Sequence, residues 1–174
     1  MEPTVHNDPV INWYAIQVRP RCELSTARIL EGKGFRPFVP LYKRRSVWSD
    51  RKVDLEHPLF PCYIFCLFDA KVRMPIMTTL GVVRIVGTGK MPWPIEASEI
   101  EAIQRVVQSE CKIQPHRFIT VGTRVLIETG PLAGIEGIVT GHKNRQLILS
   151  MGLIQRSVSV ELDEHVITAL PAAA

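Results

Sequence analysis

The chain has 174 residues, enough for one ordinary domain or two small ones. Hydrophobic residues make up 46%, which excludes wholesale disorder. Lys and Arg number 21 against 17 for Asp and Glu, and the net charge of +4 permits contact with nucleic acid or an acidic partner without demanding it.

Residues 1–12 are polar, hold Pro3 and Pro9, and read as a loose tail. They show no charged-then-apolar secretory leader. Trp13, Tyr14, Ile16 and Val18 form a first strand, closed by Pro20. Over 21–33 the pattern turns helical, with Leu24, Ala27, Leu30 and, at the margin, Ile29 on one face; Gly32 and Gly34 are stop signals. Residues 35–42 return to an extended pattern, where Pro37 and Pro40 exclude helix. A long basic hairpin follows, running through Lys43, Arg44 and Arg45, a turn at Ser49 and Asp50, and a return through Arg51 and Lys52. Two readings of its charges stay open, a solvated tip and a nucleic-acid contact.

Residues 59–68 form the longest uncharged apolar run. It is too short to span a membrane, which takes about 20 residues. Its β-branched and aromatic content predicts a buried central strand, with Cys62, Ile64, Cys66 and Phe68 on one face and Tyr63, Phe65 and Leu67 on the other. Both faces are apolar, so both need cover. From the residues alone, Tyr63 and Phe65 read as core under a helix.

Val72, Ile76 and Leu80 fit one helical face, with a helix starting near Met74 and Pro75 in its first turn. Residues 81–87 make a short strand bracketed by glycines, and 88–94 a loop carrying Trp93. Ser98 with Glu101 has the form of a capping box, and Ile100, Ile103, Val106 and Val107 extend the helix to about Ser109. Cys111 to Phe118 is polar, contains Pro115 and reads as a linker. Beyond it, strand-like segments at 123–128, 136–140, 146–150 and 157–162, with a fifth at Val166, Ile167 and Thr168, alternate with glycines and predict a small closed β-barrel. The expected fold class is therefore α+β: an antiparallel sheet with flanking helices over 13–109, a linker over 110–119, a small all-β barrel over 120–170, and a tail over 171–174.

Catalysis is not expected. His6, His57, His116, His142 and His165 lie far apart without metal-ligand spacing, and no phosphate loop, dinucleotide fingerprint or nucleophile elbow appears. No metal, other cofactor or membrane contact is expected. Cys22, Cys62, Cys66 and Cys111 contain no C-x-x-C pair and are expected to be reduced, in line with a cytoplasmic setting.

Several strings coincide with one family. Trp13-Tyr14-x-Ile16-Gln17-Val18, Leu59-Phe60-Pro61-x-Tyr63-x-Phe65, Gly81-Val82-Val83-Arg84 and Pro94-Ile95 resemble the N-terminal (NGN) domain of NusG-type transcription factors. Val121-Gly122-x-Arg124-Val125, the run from Gly130-Pro131-Leu132 to Gly137-Ile138-Val139, and Val160-Glu161-Leu162 resemble the SH3-like KOW barrel that follows it. The match covers about 13–168, nearly the whole chain.

The resemblance implies a monomeric transcription elongation regulator. Its first domain would bind the β′ clamp helices of RNA polymerase through an apolar depression lined by Tyr63 and Phe65, with Phe60, Pro61 and Tyr14 nearby and Trp13 mainly core. It implies non-template DNA near Arg19 and Arg21, upstream DNA or only solvent at Lys43, Arg44, Arg45, Arg51 and Lys52, and the β-subunit gate loop near Thr78 and Thr79. Leu132, Ile135 and Ile154 would present apolar side chains to a KOW partner, either Rho or the ribosomal small-subunit protein NusE. Gln155 stands where the family usually has Gly. RfaH-type relatives park this module as a helical hairpin. Here Gly130, Pro131, Gly134, Gly137 and Gly141 oppose a helix, so a constitutive all-β module is expected.

The Leu-Phe-Pro-x-Tyr-x-Phe string and the Lys-Arg-Arg hairpin look like specialised antiterminating paralogues. Alternatives are a general NusG acting with Rho in termination, and a KOW-type RNA- or ribosome-binding protein. The modest charge, with Glu161, Asp163 and Glu164, weighs against RNA as the barrel's main ligand.

Overall fold

The computed structural model describes residues 10–48, 51–89, 91–109, 111–116, 122–139, 146–161 and 167–170. The tail expected over 1–12 falls outside them up to residue 9, as do the turn at Ser49 and Asp50, Gly141 and the tail at 171–174. In chain order the elements begin with β1 (Ile11–Val18), α1 (Glu23–Gly32), β2 (Arg36–Phe38), β3 (Leu41–Trp48), β4 (Arg51–Pro58) and β5 (Tyr63–Asp69). Next come α2 (Met74–Met77), β6 (Val82–Ile85), β7 (Gly87–Thr88), β8 (Met91–Pro92), β9 (Pro94–Ile95) and α3 (Ala97–Gln108). The last are β10 (Ile113–His116), β11 (Thr123–Ile127), β12 (Glu136–Val139), β13 (Gln146–Met151), β14 (Arg156–Glu161) and β15 (Ile167–Ala169). The fold mixes α and β, and its sheets are antiparallel. Two compact units emerge, residues 1–38 with 62–96 and residues 39–61 with 97–174.

The first unit is built on β1, which pairs β5 along one edge and β6 and β9 along the other; β2 extends the sheet beyond β5. Residues opposite one another across an antiparallel ladder share a face. One face therefore carries Tyr14, Ile16, Val18, Ile64, Cys66 and Phe68, every one buried. The Tyr14 and Phe68 rings lie 4.6 Å apart, and Phe35 meets Phe68 edge-on at 6.4 Å. α1 buries Ala27 and Leu30 in the same unit. It ends as the glycines predict: Gly34 turns left-handed at φ 86°, its amide donates to Glu31 O, and the Phe35 amide reaches back to Leu30 O at 3.0 Å. That pair of bonds is a Schellman stop, and it satisfies two helix-terminal carbonyls.

β5 is shorter than the apolar run suggests. It starts at Tyr63, because Cys62 sits at φ 67° in a turn outside the strand. The expected face is thereby reduced to Ile64, Cys66 and Phe68. α2 is a single turn with Pro75 at its start, as expected of Pro in a first turn.

In the second unit, β3 and β4 form the basic hairpin, with Lys43 opposite Glu56 and Arg45 opposite Asp54 in register. Pro40 O accepts the Leu59 amide at 2.8 Å and closes its base. α3 buries Ile100, Ile103 and Val106. It begins at Ala97, so Ser98 lies inside the helix rather than capping it. The C-terminal strands form a six-stranded sheet in the order β10-β14-β13-β12-β11-β15. Ile113–His116, in the stretch that reads as a linker, is its edge strand β10, paired with β14. Pro115 fits there because an edge strand has one side free of ladder bonds. Gly137 serves close packing: a Cβ there would lie 2.6 Å from Leu147 Cδ1 and 2.9 Å from Ile148 O.

Candidate functional site

The second face of the first sheet holds the candidate site. Register sets three cross-strand rows on it. Tyr63 faces Gln17, which faces Arg84; Phe38 faces Phe65, which faces Ala15; Arg36 faces Leu67, which faces Trp13, which faces Ile95. Phe65 and Ala15 at its centre are fully buried, whereas Trp13, Phe38, Tyr63 and Leu67 around them are half-buried. Phe38 bridges the cluster, 6.3 Å from Phe65 and 6.4 Å, edge-on, from Trp13. A face of this kind combines a fixed aromatic floor with accessible aromatic edges, which favours a protein partner.

Not every expected docking residue belongs to it. Tyr63 and Phe65 share the face, but Tyr14 points to the opposite one and is buried beside Phe68. The period of two settles this: Tyr14 is one residue off the Trp13–Ala15–Gln17 parity. Phe60 is buried and Pro61 exposed, both before the strand begins. Phe38 escaped the sequence reading, which put Leu67 on this face without naming it as a docking residue. The parity of Leu67 was legible, but the Phe38–Phe65 pairing needs the register.

A turn at the end of β1 adds charge. The Arg19 amide donates to Gly81 O at 2.8 Å and Arg19 O accepts the Cys22 amide, with Arg21 left-handed at φ 64°. Arg19 and Arg21 are exposed there. Arg84, also exposed, donates from Nε to Gln17 Oε1 at 2.8 Å, beside Tyr63 in its row. Arg84 stood in the quoted motif, but its alignment with the aromatic face emerges only from β6 pairing.

Thr78 and Thr79 differ. Thr78 is exposed and bonds Met74 O, whereas Thr79 is buried, donating to Pro75 O and accepting from Lys33 Nζ, each at 2.8 Å. Thr79 is thus committed to tying α1 to α2. In the second unit, Lys43 and Arg44 are exposed on the hairpin; Arg45, Arg51 and Lys52 are described by backbone pairing alone. Leu132, Ile135 and Ile154 are all buried, at 0%, 3% and 6% exposure, so they do not project from their loops.

Among the described residues no group of three or more His, Cys, Asp or Glu could hold a metal ion, and no helix is long and apolar enough to cross a membrane. No curated protein matches the chain. The NusG family, described as transcription termination factor nusG, matches residues 11–104, more than half of the chain and all of the sheet just built. The chain belongs to the NusG family of transcription factors.

Proposed function

We propose that this protein is a transcription elongation regulator that docks on the β′ clamp helices of RNA polymerase through the Trp13–Phe38–Tyr63–Leu67 face. The observation that carries this reading is the half-buried aromatic rim around a buried Phe65, inside the segment that matches the family. An amphipathic helix pair would bury the rim, and rim aromatics of this kind dominate interface energetics. Phe65 contributes by holding Phe38 in place, as floor rather than contact. Arg19, Arg21 and Arg84 would receive non-template DNA beside the docked face, and Thr78 rather than Thr79 would approach the β gate loop. The six-stranded C-terminal sheet would be the KOW module, recruiting NusE or Rho, and antitermination would be the net effect.

The test uses purified core polymerase and the full chain. Tyr63→Ala is expected to weaken binding by about tenfold or more while leaving thermal stability almost unchanged. Phe65→Ala is expected to unfold more easily, by about 3–5 kcal/mol. Unaltered polymerase affinity in Tyr63→Ala would sink the proposed face. In vitro transcription across pause and Rho-dependent sites, with and without Rho, separates antitermination from termination.

A further inference from the structure

The aromatic face has one row beyond those that carry its rim. β5 keeps its period of two from Tyr63 through Phe65 and Leu67 to Asp69, and Asp69 faces Ile11 across the β1 ladder. Ile11 is 54% exposed and two residues from Trp13, so it lengthens the apolar strip along β1. Arg36 stands one row back, on β2 opposite Leu67, and is exposed. The strip therefore ends in two charges of opposite sign. They are diagonal neighbours across the β2–β5 ladder, about 7–8 Å apart. Among the described residues no ion pair joins them. Asp69 is held from behind: its Oδ1 accepts the Lys71 amide at 2.9 Å and caps the 3-10 turn Ala70–Val72.

We propose that Arg36 and Asp69 form a register key for an amphipathic helix laid along the strip. They select a carboxylate over Arg36 and a Lys or Arg one helical turn away over Asp69. This inference rests on the face docking the polymerase helix pair. From Tyr63 to Asp69 the strip runs about 20 Å, the length of about 13 helical residues. Apolar contact is non-directional, so on the aromatic rows alone such a helix slides by a turn at little cost. The charged end removes that freedom. One row is about 7 Å and one helical turn about 5.4 Å. A helix one turn out of place thus carries its carboxylate from Arg36 to Asp69, and attraction becomes like-charge repulsion. A reversed helix, whose two charges exchange places, meets the same penalty. Arg suits the outer position because its planar fork takes a carboxylate through two parallel bonds. The sign of Asp69 also decides the class of partner, since a nucleic-acid strand on this end would bring phosphates against a carboxylate.

The experiment measures binding of the full chain to purified core polymerase, with Tyr63→Ala as reference. Arg36→Glu is expected to weaken binding about tenfold or more at low salt. At about 0.5 M salt its loss should shrink to about threefold or less, whereas the loss in Tyr63→Ala persists. Asp69→Asn keeps an acceptor for the Lys71 amide and should weaken binding about threefold. A water-soluble carbodiimide, which joins an amine to a touching carboxylate, then reads the partner in Arg36→Lys. Mass mapping should place the new amide on an Asp or Glu of the helix pair that has a Lys or Arg one turn away. Wild-type affinity in Arg36→Glu, with Tyr63→Ala still weakened, overturns the key and leaves the docking face standing. Wild-type affinity in both overturns the face and the key together. Absence of coupling in Arg36→Lys, or coupling to a carboxylate outside a helix, also overturns the key.

Discussion

The Cys62 amide donates to the Glu23 carboxylate at 2.8 Å, and this bond fixes where β5 starts. Glu23 is buried in the first turn of α1, where a negative charge is also favoured by the helix dipole. Cys62 is left-handed, and its carbonyl in turn accepts the Val18 amide at 2.9 Å. One carboxylate thus links α1, the turn and the β1–β5 ladder. Glu23→Ala leaves the Cys62 amide without its acceptor and is expected to cost about 1–3 kcal/mol in urea unfolding. Glu23→Gln keeps an acceptor oxygen and should lose less than half of that. Equal losses would mean that the bond does not set the stability of this turn.

Gly81 has two reasons to be glycine, and they are separable. Its φ is 92°, and a Cβ there would collide with the Thr26 hydroxyl, which donates to Leu80 O at 3.1 Å. Gly34 shares the left-handed conformation, at φ 86°, but a Cβ there meets nothing within 4 Å. Gly34→Ala is therefore expected to cost about 1–2 kcal/mol, the left-handed penalty alone. Gly81→Ala should cost visibly more, and adding Thr26→Ala should recover part of the difference, because residues in contact are not additive. Chemical denaturation of these three variants and of Thr26→Ala alone measures this. Equal costs for the two glycine substitutions would remove the steric explanation.

Burial pushes the Cys66 thiol up from its usual 9.0 to about 12, with hydrogen bonds to the backbone at Arg36 and Leu67 pulling it back only in part. A raised thiol pKa means that the folded state keeps its proton where the unfolded chain has lost it. The associated stability is fully present below pH 9 and is lost as pH rises from there through about 12. Cys66→Ala should accordingly show a shallower fall of stability over that window than the wild type. At neutral pH, a thiol reagent should modify the partly exposed Cys22, Cys62 and Cys111 while Cys66 reacts only on unfolding. Mass mapping of the labelled peptides reads the result.

Much of the secondary structure was legible, because β1, α1 and α3 each carry an apolar period that matches their geometry. β10 was hidden for the opposite reason: Ile113, Gln114, Pro115 and His116 look like linker, and only pairing with the apolar β14 makes them a strand. The candidate site was legible in composition but not in orientation. Tyr14 and Tyr63 look alike as aromatic strand residues, yet the register sends them to opposite faces. Nor does a turn position reveal burial. Leu132 sits between Pro131 and Ala133 in a glycine-bounded turn, where exposure is the natural guess, and it is fully buried.

Gln155 tests whether a left-handed backbone at a residue with a side chain has a physical cost. It follows the short 3-10 turn Gly152–Ile154 and is left-handed, at φ 49° and ψ 50°, with its amide donating to Gly152 O at 3.3 Å. For a residue with a Cβ, that conformation costs about 1–2 kcal/mol. Glycine removes the cost but loses about 0.5–1 kcal/mol through its freer unfolded chain. Gln155→Gly should therefore stabilise the protein by about 0.5–1 kcal/mol, a rise of about 2–5 °C in Tm. Asn tolerates the left-handed region better than Gln, so Gln155→Asn should fall between, and Gln155→Ala should show no gain. The side chain is exposed, so no lost packing offsets these differences. Thermal unfolding of the three variants decides it. A lower Tm in Gln155→Gly would mean that the Gln side chain contributes more than its strain takes away.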